Sequence, residues 1–244
     1  MTAGKRRCLL DFSHDEPVLA TCNIAMSMPP DHAMRKTDPG AVSHTPPQPH
    51  QPALDHARKI AAWVLRALSV PSHARRSTPA LALHDQVIEH QAAIVTLSER
   101  PLFGPMLSLV RPTVDRHLRA LWVERLSGGA IDRFLTGPDT PDTETLLRLL
   151  RKASRLGESE ALLTAWEHSP LYDHPALVVS AEHAGASRAG DMKFVPTLHD
   201  VIDGLNFSAG LSLLSTMRMA QLTGDSGAEQ SARFRFGVMA GVGR

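Results

Sequence analysis

The sequence predicts an all-α fold, a helical bundle of about six to seven helices with a disordered N-terminal tail. Three observations carry this. Apolar residues recur at three- and four-residue spacing in several separate runs, most glycines and prolines fall between those runs, and short alternating segments bounded by hairpin turns are missing. With 244 residues, 43% hydrophobic and 21% charged, the chain can build one globular domain with a core and still carry a tail.

Residues 1–52 are expected to form the tail. Seven of the 24 residues from Pro29 to Pro52 are proline and no apolar period is present, so the segment has too little to bury. His32, His44, His50 and His56 recur there at irregular spacing with no converging cysteine or carboxylate, which fits a solvated linker better than a metal-binding tract. No metal or cofactor is expected.

The helical domain is expected over 53–225. Its first helix runs from Ala53 through Leu54, Ala57, Ile60, Ala61, Val64, Ala67 and Leu68, and Pro71 ends the run. A second, about Ala80 to Glu99, has two apolar rows, which implies two packing partners. Between the rows lie His84, Gln91 and Ser98 at seven-residue spacing. Polar groups so placed are either ordinary buried polars with satisfied hydrogen bonds or the lining of a ligand site.

The run from Leu107 to Leu126, LSLVRPTVDRHLRALWVERL, is the longest amphipathic stretch. At about 100° per residue, Leu107, Val110, Val114, Leu118 and Leu121 share one arc. Arg111, Asp115 and Arg119 form a ladder at four-residue spacing on its margin, beside Trp122. Pro112 forces a kink or a helix start, and Ser127-Gly128-Gly129 reads as a glycine C-cap.

Beyond a short piece with Ile131, Phe134 and Leu135, a helix is expected with Thr140 as N-cap and Pro141 as its first residue, ending before Gly157. Its Arg148, Lys152 and Arg155 read as a solvated basic face. Ser159–His168 gives a shorter helix, and another is expected from Pro175 that loosens at Gly185 and places His183 near its C-terminus. Thr197 and Asp200 then form a capping box for a long helix to about Gly224, whose Ser208, Gly210, Ser212 and Ser215 permit close helix approach. Residues 226–244 are read as a C-terminal tail.

Composition excludes several function classes. A formal charge of +1 gives no global attraction to nucleic acid or anionic lipid. Cys8 and Cys22 lack metal-ligand spacing and argue against a disulfide-stapled secreted fold. No apolar run reaches membrane-spanning length, so a cytoplasmic protein without membrane partners is expected. Glycine-rich phosphate loops, zinc spacings and nucleophile elbows are all missing. The candidate site residues are therefore Arg111, Asp115 and His183 for chemistry, with Arg119, Trp122, His84 and Gln91 for binding.

SLVRPTVDRHLRALWVERL resembles the Arg-Pro-x-x-acid, then Trp, helix of a group of uncharacterised bacterial all-helical proteins, a domain of unknown function, with a later His-Gly-Gly-like segment. His183-Ala184-Gly185 is similar to that segment, and the run from Leu198 to Asp225 resembles the final helix. Asp115 stands where glutamate is commoner, and Ala184 interrupts the glycine-rich segment. The resemblance covers about Leu81 to Asp225 and brings no established activity with it.

More remotely the chain is similar to the HEPN helical bundles, some of which are metal-independent ribonucleases of toxin or abortive-infection type using an arginine and a histidine four to six residues apart. Arg111 and His117 meet that spacing formally, yet six helical steps set them about 120° apart on one helix. A homodimer would bring them together, or His183 would supply the base beside Arg111. The leading expectation is a non-enzymatic binding or interaction domain in which Arg111, Asp115 and His183 form a structural cluster. A ribonuclease acting on RNA, or a bundle binding a small ligand near His84 and Gln91, are the alternatives.

Overall fold

The computed structural model describes residues 48–68, 78–137, 140–169, 171 and 196–241, all within one compact unit, Pro46–Arg244. The described residues contain helices and no strand: α1 (Gln51–Ala67), α2 (Pro79–Glu99), α3 (Phe103–Ser108), α4 (Val110–Val123), α5 (Gly129–Thr136), α6 (Thr143–Lys152), α7 (Ser159–Glu167), α8 (Leu198–Thr223) and α9 (Ser226–Met239). The all-α expectation holds. Its helix number is exceeded because two of these are single short pieces, α3 and α5.

Helix α8 is the axis of the bundle. It packs against α1, α2, α3, α4, α7 and α9, and every residue from Phe207 to Met217 is buried. A helix enclosed on all sides must satisfy its own polar side chains. Ser208, Ser212 and Thr216 do so by donating to the carbonyls of Leu205, Ala209 and Ser212 at 3.1, 3.1 and 2.7 Å. Small residues let neighbours come close: a Cβ on Gly204 would stand 2.9 Å from Leu107 Cδ2, and one on Gly210 only 2.8 Å from Met239 Cε and 3.0 Å from Leu162 Cδ2.

Local chemistry sets the ends of the helices. Thr78 Oγ1 accepts from Leu81 N at 3.3 Å at the start of α2, and Asp225 Oδ1 accepts from Ala228 N at 3.0 Å at the start of α9. The Thr197 and Asp200 capping box forms as its spacing predicts, with Thr197 N donating to Asp200 Oδ2 at 2.8 Å and Asp200 N to Thr197 Oγ1 at 3.2 Å. Gly224 ends α8 in the left-handed region at φ 75°.

Four readings from sequence are corrected. The N-cap of α6 is Asp142, whose Oδ1 accepts from Thr145 N at 2.7 Å, while Thr140 folds back to the carbonyls of Phe134 and Gly137. Of the kink or helix start expected at Pro112 the structure has the start, two residues earlier: the run at Leu107 is divided at Leu109 between α3 and α4, and Pro112 falls in the first turn of α4 and is not its first residue. Gly128, at φ 53°, caps the start of α5 instead of ending α4, which stops at Glu124. Residues 226–239 form a helix laid along α8, and Arg235 covers the Trp63 ring of α1 at 4.6 Å. Half of its buried seam, Ala228, Ala232, Phe236 and Met239, is alanine, while Phe234 and Val238 stand exposed, so its period is hard to see in sequence.

At the other end, α1 begins at Gln51, and its N-cap His50 is buried against Phe103 with ring centroids 5.0 Å apart. Helix α1 thus starts inside the stretch read as tail; the rest of that tail and the helix expected from Pro175 lie outside the described residues. No described helix is long and apolar enough to cross a membrane.

Candidate functional site

Three polar or concave features compete for a functional role, and the ladder on α4 is the first. Asp115 Oδ2 accepts from Arg119 Nε at 2.6 Å and Asp115 Oδ1 from Thr143 Oγ1 at 3.1 Å, while Arg119 Nη2 donates to the Pro141 carbonyl at 3.4 Å. This pair ties α4 to the start of α6. Arg111 does not join it: its guanidinium lies 3.7 Å from Glu144, with side chains 30% and 60% exposed. The cation over the Trp122 ring is Arg125, at 5.3 Å. His183, the expected third member, lies outside the described residues.

A larger polar network was not legible as such. His117 on α4 is fully buried, with Nδ1 3.0 Å from Ser215 Oγ of α8 and Nε2 2.9 Å from Ser159 Oγ of α7. The His84 ring of α2 meets it edge-on at 5.7 Å. His84 Nε2 lies 2.9 Å from Glu124 Oε1, and Glu124 Oε2 lies 3.0 Å from Arg218 Nη2. From there the chain of contacts continues outward, Arg218 donating to Gln221 and Gln221 to Glu229, which also receives Arg233. Burial first, then the nearby His84 and Arg218, holds His117 well below the ordinary imidazole value.

The network crosslinks α2, α4, α7, α8 and α9, yet both imidazoles are shut away from solvent. A general base must reach a substrate proton. As the fold stands, these two reach only protein. Arg111, on the exposed side of α4, has no contact with His117, as the 120° separation on the helix predicts.

Gln91 is likewise fully buried and donates to the Ala57 carbonyl at 3.0 Å, locking α2 to α1. Gln91 Oε1 and His84 Nδ1 have no hydrogen-bond partner among the described residues. Neither side chain is among the residues that line the cavity described next.

A cavity lies elsewhere, between α1, α7, α8 and α9, with a volume of about 680 Å³. Its walls are Leu162, Trp166, Phe207, Phe236 and Met239. Trp166 and Phe207 stack with centroids 6.2 Å apart. His56, Asp203 and Asn206 supply polar groups, and no lysine or arginine is among the described lining residues. Asp203 contacts His199 at 3.2 Å; burial raises its pKa, His199 opposes the rise and Asp200 adds to it. Sequence reading missed this site because its aromatic residues sit at core-like positions and two of its walls lie on α9.

Comparison with known proteins adds no relative: protein-family models, curated proteins and solved structures all give no match to this chain.

Proposed function

We propose that this chain is a non-enzymatic binding domain that takes a small ligand into the cavity between α1, α7, α8 and α9, with the polar clusters on α4 serving structure. The observation that carries this reading is the cavity itself. Its volume of about 680 Å³ falls in the usual range for small-molecule sites, about 300 to 1,000 Å³, and apolar walls with a few polar groups are the usual lining. Support also comes from the polar clusters, whose side chains are engaged with other helices. A ribonuclease reading needs an arginine and a histidine at one open surface, and the enclosed His117 does not favour it.

The test is a titration of purified protein with 4-phenylbutanol, followed by tryptophan fluorescence and by heat. The expected result is saturable one-to-one binding that disappears in Ala165→Trp, a rim substitution that fills the cavity, while the variant keeps its helical circular dichroism and cooperative melting. Absence of saturation in the wild type, or unchanged binding in the filled variant, would overturn the reading.

A further inference from the structure

The charge pattern of the cavity identifies the class of ligand, an inference that rests on the binding reading above. Asp203 is the one carboxylate among the described lining residues, and no lysine or arginine stands with it there. Its side chain is only 32% exposed, and the group beside it, His199, is 73% exposed and lies on the preceding turn. Asp200, three residues after the capping threonine, is committed to Thr197. The carboxylate at the cavity is thus partly desolvated and lacks a permanent cationic partner among its described contacts.

An anionic ligand would have to sit beside that carboxylate with no counter-charge among the described lining residues, which costs it affinity. A cation gains twice. It meets Asp203 at reduced screening, and the lining rings of Phe236 and of the stacked Trp166 and Phe207 supply aromatic surface for its charge and apolar area for its body. Asn206 and His56 add acceptors for the N–H groups of an amine.

We propose that the cavity binds an amphipathic organic cation, a primary to tertiary amine carried on an aryl or alkyl body, with Asp203 as its counter-ion and the Trp166 and Phe207 pair as its apolar seat.

The experiment compares three probes of one shape, 4-phenylbutylamine, 4-phenylbutanol and 4-phenylbutyrate, by calorimetric titration of the full chain at neutral pH. The expected order is amine tightest, alcohol about tenfold weaker, a difference of about 1.4 kcal/mol, and acid weaker again. In Asp203→Asn the amine is expected to fall to the affinity of the alcohol, with alcohol binding unchanged. Equal binding of amine and alcohol to the wild type, or an amine preference that survives Asp203→Asn, would overturn the ligand class and leave the cavity reading standing. Binding of none of the three would overturn both. A preference for the acid would overturn the class alone.

Discussion

The carboxylate of Glu124 joins His84 to Arg218, its two oxygens lying 2.9 Å from His84 Nε2 and 3.0 Å from Arg218 Nη2. Glu124 follows the last turn of α4, so one side chain holds three helices. Glu124→Ala would leave a buried imidazole N–H without an acceptor, a loss of about 2 to 3 kcal/mol. Arg218 is 31% exposed and regains water, which keeps the loss near the lower end. Glu124→Gln retains an acceptor and is expected to lose about half as much. Urea denaturation measures both; a Glu124→Ala effect below about 0.5 kcal/mol, the size of an ordinary surface substitution, would remove the residue from the framework.

His117 makes stability depend on pH in a fixed direction. Its folded-state value lies well below the ordinary 6.5 because burial, His84 and Arg218 all oppose its charge. Below pH 6.5 the unfolded chain therefore takes up a proton that the folded chain excludes. Stability is fully present above that pH and falls by up to about 1.4 kcal/mol per pH unit as pH drops toward the folded value. His90, lowered by burial and then by Arg116 against the opposing Glu89, adds a loss of the same sign. In His117→Gln the slope between pH 6.5 and 5.5 should flatten, as read from denaturation midpoints across pH; a slope identical to wild type would contradict the neutral buried imidazole.

The ladder on α4 divides into unequal parts. Arg111 meets Glu144 at 3.7 Å with both side chains well solvated, so Arg111→Ala is expected to change stability by no more than about 0.5 kcal/mol. Asp115 receives Arg119 and Thr143, and its side chain is 21% exposed, so Asp115→Ala should lose about 1 to 2 kcal/mol. Thermal unfolding of the two variants settles the order, and a larger loss at Arg111 would reverse the assignment.

A mixed RNA pool incubated with the protein without added metal is expected to stay intact, because His117 is enclosed and Arg111 lies apart from it. Cleavage that vanishes in a folded Arg111→Ala variant would restore the ribonuclease reading.

What the sequence discloses and what it hides follow from the range of the forces involved. Capping at Thr197 and Asp200, the break before Ser226 at Gly224 and the buried rows of α2 are local, so residue type and spacing suffice to place them. His84 and Gln91 were legible as enclosed polars for the same reason. Their partners were not, since Glu124 is 40 positions from His84 and Ser215 is 98 from His117. The ladder misled because spacing of four residues allows Arg111 to meet Asp115, while the start of α6 offers Glu144 to one and Thr143 to the other. The cavity is hardest of all: Trp166, Phe207 and Phe236 have the same sequence signature whether they fill a core or border a space.

The central claim, a ligand site in the cavity beside a purely structural polar network, is tested most directly by mapping 4-phenylbutylamine on the protein by NMR. Saturable shifts are expected at the Trp166 indole and the Met239 methyl, with the imidazole signals of His84 and His117 unmoved. Shifts centred on those two histidines, with Trp166 and Met239 silent, would contradict it.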